Sequence, residues 1–308
     1  MKNLLWLVML AVLVVGYLYI KPNPEETRTV NNLDPGTSSS IMAVVSEKIS
    51  LSISPETVIQ GEPVLITING LYSTSTIKSL ALDDKPLPVF MHNGKPTSLV
   101  GIDLRGKIGS YQLVLNLKDG QKIEEKLVIG KRIVAKETFN IPEKFGGDTP
   151  EAEKKLVSTL LDEGAIINAV PTSADKLWNG NFHFPLDEPI TVTDTYGYSR
   201  LTGGSSISHK GTDFRARVGT PVYAMNSGLV RFVESLRNYG DTIIIDHGLG
   251  LLTIYMHLSE MNVELGDKVE KDELIGKSGS TGYTHGPHLH LTIRIKGISI
   301  DPMKFMEL

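Results

Sequence analysis

Gly276-Lys277-Ser278-Gly279-Ser280-Thr281-Gly282-Tyr283-Thr284-His285-Gly286-Pro287-His288-Leu289-His290-Leu291 is the stretch around which the rest of the chain is read. Glycine-rich at first, it stiffens at Pro287 and then delivers two histidines two residues apart. A strand over residues 287–295 has a side-chain period of two. His288 and His290 then share one face, while Leu289, Leu291 and Ile293 turn to the other, into a core. Two imidazoles side by side on a rigid element suit a metal ligand next to a catalytic group.

Working outward, six of the eight histidines fall in residues 191–308. His209-Lys210-Gly211-Thr212-Asp213 holds a His and an Asp four positions apart, and Gly211 argues for a tight loop that brings both side chains to one ion. Tyr255-Met256-His257-Leu258 ends another strand. Strict alternation there puts Tyr255 and His257 on one face and Ile254 and Met256 on the other. A catalytic metal needs three protein ligands and an open position for water. His209, Asp213 and one of His288 or His290 supply that set. The other member of the pair and His257 remain for proton transfer or oxyanion stabilisation. No H-E-x-x-H arrangement is present.

The composition narrows the chemistry. The chain has 308 residues, no cysteine, 41% hydrophobic residues and a net charge of −4. That length fits about two domains. Without cysteine there is no disulfide, no thiol nucleophile and no thiolate zinc ligand. Nucleic acid is not an expected partner, because no basic stripe with interleaved aromatics is present.

Upstream, Lys2 precedes the apolar run 4–20. The run is longer than a typical signal-peptide core and no small-residue cleavage site follows it. It reads as a transmembrane anchor or signal over residues 1–20, with the rest of the chain exported and the anchor in the inner membrane. Residues 21–47 are a polar, flexible tether. Over 48–136, short β-favouring runs at 49–53, 64–68, 76–82, 98–104, 111–117 and 122–129 alternate with turns, and Asp119-Gly120 is a hairpin cue. A small immunoglobulin-like β-sandwich is expected. Residues 137–180 form a linker with a short helix: Thr149 caps it, Pro150 opens it, Ala152, Leu156, Val157, Leu160 and Leu161 make its apolar face, and Gly164 closes it. Residues 181–308 are a second, glycine-rich antiparallel β unit, with clear strands at 222–233, 242–246, 251–257 and 288–295. The fold class is therefore mainly β. Trp178 reads as core, His247 as structural, His92 and His183 as surface, and His285 as a groove-rim residue.

H-K-G-T-D, Y-M-H-L and G-P-H-L-H, in this order on a glycine-rich β unit, resemble the lysostaphin-type (LytM-like) zinc endopeptidases of peptidoglycan. Tyr196-Gly197-Tyr198-Ser199-Arg200 is similar to the family's F-G-x-R segment, and Gly219–Ala224, Asp246–Gly250, Gly266–Val269 and Ile300–Pro302 match as well. The resemblance implies that His209, Asp213 and His290 bind Zn2+ and that His257 and His288 are catalytic. It implies an exported hydrolase of peptidoglycan peptide crosslinks, with its catalytic unit in the periplasm. A non-cleaving peptidoglycan-binding or hydrolase-activator module is the alternative. One departure stands out: the family often has a glutamate two positions after the second His of the pair, and here that position is Thr292. What orients the ligands is left open by it. Gly276-Lys277-Ser278 is not a phosphate loop, since position 271 is Lys271, and no G-x-S-x-G elbow is present.

Overall fold

The computed structural model describes residues 47–308 except Phe139 and Gly203. The apolar run 1–20 and all but the last residue of the tether lie outside the described residues. Among the described residues no helix is long and apolar enough to cross a membrane.

The first strands are β1 (Ser50–Ser54), β2 (Val58–Ile59), β3 (Pro63–Asn69), β4 (Ile77–Leu82), β5 (Lys85–Leu87), β6 (Phe90–His92), β7 (Lys95–Gly101), β8 (Gly109–Leu117) and β9 (Lys122–Gly130). They form two sheets, ordered β1-β3-β7-β6 and β2-β9-β8-β4-β5. Alternating residues of both sheets, among them Ile66, Ile68, Leu80, Leu113, Leu115 and Leu127, meet in one core, as burial on one face of each strand requires. The Asp119-Gly120 turn does join an antiparallel hairpin: β8 pairs β9, and Gly120 takes the left-handed φ of +95° that the turn needs.

After β10 (Lys136–Thr138) comes helix α1, Pro150–Asn168. The Thr149 hydroxyl accepts from the Ala152 amide at 3.2 Å, so the expected cap is present. The helix does not stop at Gly164. A glycine inside a helix costs about 1 kcal/mol relative to alanine, but running on buries Ile167, at 1% exposure, which is worth roughly 1.5–3 kcal/mol. Leu161, expected on the apolar face, points to solvent.

The second β unit contains β11 (Val192–Asp194), β12 (Ser199–Thr202), β13 (Ser205–Ser208), β14 (Thr212–Arg215), β15 (Pro221–Tyr223), β16 (Gly228–Leu236), β17 (Gly240–Gly248), β18 (Leu251–Met261), β19 (Lys268–Val269), β20 (Leu274–Ser278), β21 (His288–Ile295) and β22 (Ile298–Ile300), and ends in helix α2 (Pro302–Phe305). Its main sheet runs β11-β14-β21-β18-β17-β16-β19. The single strand expected over 222–233 is two strands. Buried Asn226 breaks it: its Oδ1 accepts from the Asn179 amide at 2.9 Å and its Nδ2 donates to the Asn181 carbonyl at 3.0 Å, bonds a straight ladder could not offer.

The sheet has two different faces. Leu289, Leu291, Ile293 and Tyr255 enter the main core together with Trp178. Opposite them, Leu252, Ile254 and Met256 pack with Ile244, Phe232 and Ile167 of α1. That second face also carries His288, His290, Thr292 and Arg294. The sandwich is fastened to the far end of β21 and to β22. Arg132 pairs with Asp301 at 2.9 Å, Phe90 meets Trp178 edge-on, and a β-carbon on Gly101 would touch Ile295, Ile298 and Ile300.

Candidate metal centre and flanking histidines

β14 lies antiparallel to β21 with Asp213 directly opposite His290, so the pleat points both side chains to the same side. His209 arrives from the loop just before β14. That loop passes so close to β21 that a β-carbon on Gly211 would sit 2.4 Å from His290 Nε2 and 2.4 Å from the Leu291 carbonyl oxygen. Glycine at the centre of H-K-G-T-D is thus a condition of the approach. His209 Nε2 lies 3.0 Å from Asp213 Oδ1 and 3.0 Å from His290 Nδ1, and His290 Nδ1 lies 2.7 Å from Asp213 Oδ1.

The hydrogens decide what these contacts are. His209 Nδ1 is 3.0 Å from the Thr195 carbonyl, which can only accept, so the neutral ring carries its hydrogen there and leaves Nε2 bare. Thr292 Oγ1 donates to the Lys210 carbonyl at 3.1 Å and must therefore accept from His290 Nε2, 2.9 Å away. That leaves His290 Nδ1 bare as well. Burial pushes the His290 imidazole down to about 4, so it is neutral at neutral pH. Two bare nitrogens and a carboxylate oxygen then face one another with no hydrogen between them. A cation satisfies such a set, and two imidazoles with one carboxylate are zinc ligands by type. Asp213 divides its oxygens: Oδ1 faces the histidines, while Oδ2 accepts from Arg200 Nη2 at 3.0 Å.

His257 reaches the centre by a different route from strict alternation. Met256 is opposite His290 and Tyr255 opposite Leu291, so Tyr255 faces the core, not the histidines. Regular pleating would have sent His257 there too. Instead β18 bulges: Asp241 pairs Leu258 and Ile243 pairs Tyr255, so two residues of β18 oppose one of β17. His257 sits in the bulge with φ +62°, uncommon for a side chain of its size. The extra residue turns its ring to the face of His290, 5.9 Å between centroids, and beside His288, 4.9 Å. Its amide donates to the Tyr239 carbonyl and its Nδ1 donates to the Thr281 carbonyl, at 3.0 and 2.9 Å. Burial first, then the neighbouring rings, keep it well below the ordinary histidine value. His288 Nδ1 donates to the Gly286 carbonyl at 2.9 Å, and its Nε2 lies 3.8 Å from Asp213 Oδ1. In their neutral forms both flanking rings thus carry their hydrogen on Nδ1 and a lone pair on Nε2.

A cleft of about 660 Å3 opens beside His257 and His290 and runs along β21 past Thr292 to Arg294, walled on one side by α1 and on the other by residues 103–105 of the sandwich. The remaining histidines stand apart from the centre. His247 is fully buried, its Nδ1 on the Ser227 carbonyl and its Nε2 2.8 Å from Thr253 Oγ1. His183 pairs with Asp272 on the surface, and His285 contacts the Asn140 carbonyl. His92, expected to be solvated, is half-buried, lining a separate cavity with Phe90 and Trp178. Arg200, inside the Y-G-Y-S-R segment, was given no role by the sequence, and Thr292 was read only as the loss of an acidic neighbour. The period-two rule places Thr292 on the face of His290 and was the signal available for it.

Residues 207–302 match Peptidase family M23. The peptidoglycan DD-endopeptidase ShyA of Vibrio cholerae is 29% identical over 246 residues, which is 79% of this chain and 53% of ShyA. The DD-carboxypeptidase/endopeptidase Mpg of Neisseria meningitidis is 41% identical over 95 residues, 31% of this chain and 22% of Mpg. The chain spans about half the length, or less, of the curated relatives it matches. A Pseudomonas aeruginosa crystal structure described as a peptidase of M23 aligns with a TM-score of 0.56 at 25% identity, over 80% of this chain and 94% of that one. Zinc is the metal that this family match and the donor set together call for.

Proposed function

We propose, from the match of residues 207–302 to Peptidase family M23, that this chain is a zinc-dependent endopeptidase that hydrolyses amide bonds in peptidoglycan peptide crosslinks. The observation that carries the reading is the set of lone pairs converging from His209, Asp213 and His290 beside the two bare Nε2 atoms of His257 and His288. The names of the relatives, ShyA and Mpg, support the substrate and the crosslink bond.

His209, Asp213 and His290 would hold the zinc. Bound there, the ion supplies Lewis-acid polarisation of a peptide carbonyl and makes a water molecule more acidic. His257 and His288 do the proton work: each accepts a proton at Nε2 while Nδ1 stays on its backbone carbonyl, and can return it to the departing amine. Arg200 fixes the Asp213 carboxylate from behind. The cleft beside them, walled by α1 and by residues 103–105 of the sandwich, would take an extended peptide. In the same reading, residues 1–20 anchor the chain in the inner membrane, the tether spans to the wall, and the immunoglobulin-like sandwich carries the catalytic unit in the periplasm.

The test is digestion of defined crosslinked muropeptides by the zinc-loaded protein, with products identified by mass. His257→Ala should lower turnover by about 10²–10⁴-fold and keep stoichiometric zinc, whereas His290→Ala should lose the metal. Equal cleavage by metal-free and zinc-loaded protein would refute the reading.

A further inference from the structure

The cleft that starts at His257 and His290 ends at a buried cation the proposed chemistry does not use. Arg294 lies on β21, on the same face as His288, His290 and Thr292, and is 7% exposed. Its Nη1 donates to Asn168 Oδ1 at 2.6 Å, at the last turn of α1. Its Nε is buried and has no hydrogen-bond partner among the described residues, and no carboxylate among them pairs with it. Burying a guanidinium without a counter-charge is costly, and such groups are ordinarily paired. The asparagine holds one terminal nitrogen, and the guanidinium lines the cleft with no counter-charge of its own, where a carboxylate would supply one.

The charges around it point the same way. Among the described residues lining the cleft, Arg105, Arg200, Lys210 and Arg294 are cationic and Asp103 alone is acidic. Arg200 is committed to Asp213 and Asp194. Asp103 Oδ1 accepts from the Arg105 amide at 2.7 Å, within its own turn. Arg105 and Lys210 are exposed at the rim above Arg294.

We propose that Arg294, assisted by Lys210 and Arg105, is a subsite for a free carboxylate of the substrate peptide. This rests on the endopeptidase reading and adds to it the feature that selects among peptides. From His290 to Arg294 is four residues of strand, about 13 Å. That distance is spanned by three to four residues of extended peptide or by fewer with an acidic side chain, so the carboxylate recognised lies a few residues from the bond cut. A crosslinked peptide with a free carboxylate at this remove would engage the guanidinium, and its amidated form has the same shape without the charge.

The experiment uses the zinc-loaded full chain and two synthetic crosslinked peptides that differ only in that carboxylate, free in one and amidated in the other. The wild type is expected to favour the free acid in kcat/KM by on the order of ten- to a hundredfold, as for loss of a charged hydrogen-bond pair. Arg294→Met should bring that ratio close to one, mainly through KM. Lys210→Met, at an exposed position that does not threaten folding, should reduce the ratio severalfold. A wild-type ratio near one, or a ratio unchanged in both variants, overturns the subsite. Should neither peptide be cut, the endopeptidase reading fails, and calorimetric titration of the two uncut peptides decides the subsite alone. Tighter binding of the acid that Arg294→Met abolishes supports it, and equal binding overturns it.

Discussion

Replacing Thr292 with valine keeps the shape of the side chain and removes one hydroxyl. In the folded protein that hydroxyl accepts from His290 Nε2 at 2.9 Å and donates to the Lys210 carbonyl at 3.1 Å. Without it the Nε2 hydrogen is buried and unpaired, a penalty of about 1–3 kcal/mol. The ring escapes by moving its hydrogen to Nδ1, which is 2.7 Å from Asp213 Oδ1 and can donate to it. Two outcomes follow. Stability of the zinc-free protein falls by only about 1 kcal/mol, because two hydrogen bonds are lost, the one to Asp213 is gained and the clash of lone pairs is relieved. Zinc binding suffers, because the metal needs Nδ1 bare and must force the hydrogen back to a nitrogen with no acceptor. Affinity should fall about 10- to 100-fold, the usual effect of removing a partner behind a ligand, or roughly 1.4–2.7 kcal/mol. Competition against a chelator of known affinity measures this directly, and Thr292→Ser should restore most of the loss. Wild-type zinc affinity in Thr292→Val, or no recovery in Thr292→Ser, would show that the threonine does not set the ring's hydrogen.

Gly211→Ala places a β-carbon 2.4 Å from both His290 Nε2 and the Leu291 oxygen. β14 must then move off β21, and the variant should lose about 1–3 kcal/mol of stability together with at least about tenfold in zinc affinity; calorimetry and chelator competition read the two separately, and a wild-type result in both refutes the close-approach argument. Acid should destabilise the zinc-free protein through His247, whose buried imidazole is pushed down to about 4. An unfolded histidine titrates near 6.5, so between those values the unfolded state binds more protons: this contribution is intact above about pH 6.5 and declines as pH falls towards 4, by up to about 3 kcal/mol. Urea unfolding at pH 7 and pH 4.5 should show a smaller pH difference in His247→Gln than in the wild type, and an equal difference would assign the acid sensitivity elsewhere.

Local pattern carried the sequence reading a long way, and it failed where a contact distant in the chain overrode it. Period two placed His288 and His290 together and sent Leu289, Leu291 and Ile293 to the core, because β21 is regular from end to end. The same rule misplaced His257. The bulge in β18 depends on register against β17, and the left-handed backbone at His257 is supported by carbonyls of Tyr239 and Thr281, 18 and 24 residues away. Helix α1 outran Gly164 for a comparable reason: the profit lies in Ile167 docking on Phe232 and Ile254, which no window around the helix contains. Thr292 looked like the loss of an acidic neighbour, and only the Lys210 carbonyl beyond it shows that a hydroxyl can do the orienting.

Helix α1 also bears on where the smallest unit that holds the metal centre begins. Glu163, 5% exposed, takes the amides of Asn238 and Tyr239 on its carboxylate, at 2.9 and 3.3 Å. Tyr239 in turn holds the His257 amide on its carbonyl. A single loop therefore connects the helix upstream to His257 within the matched segment. Cutting the chain at the start of that segment, residue 207, would remove this brace and bare Phe232, Ile244, Leu252 and Ile254 to water. The functional module, in the sense of what must be expressed together, extends back to Thr149.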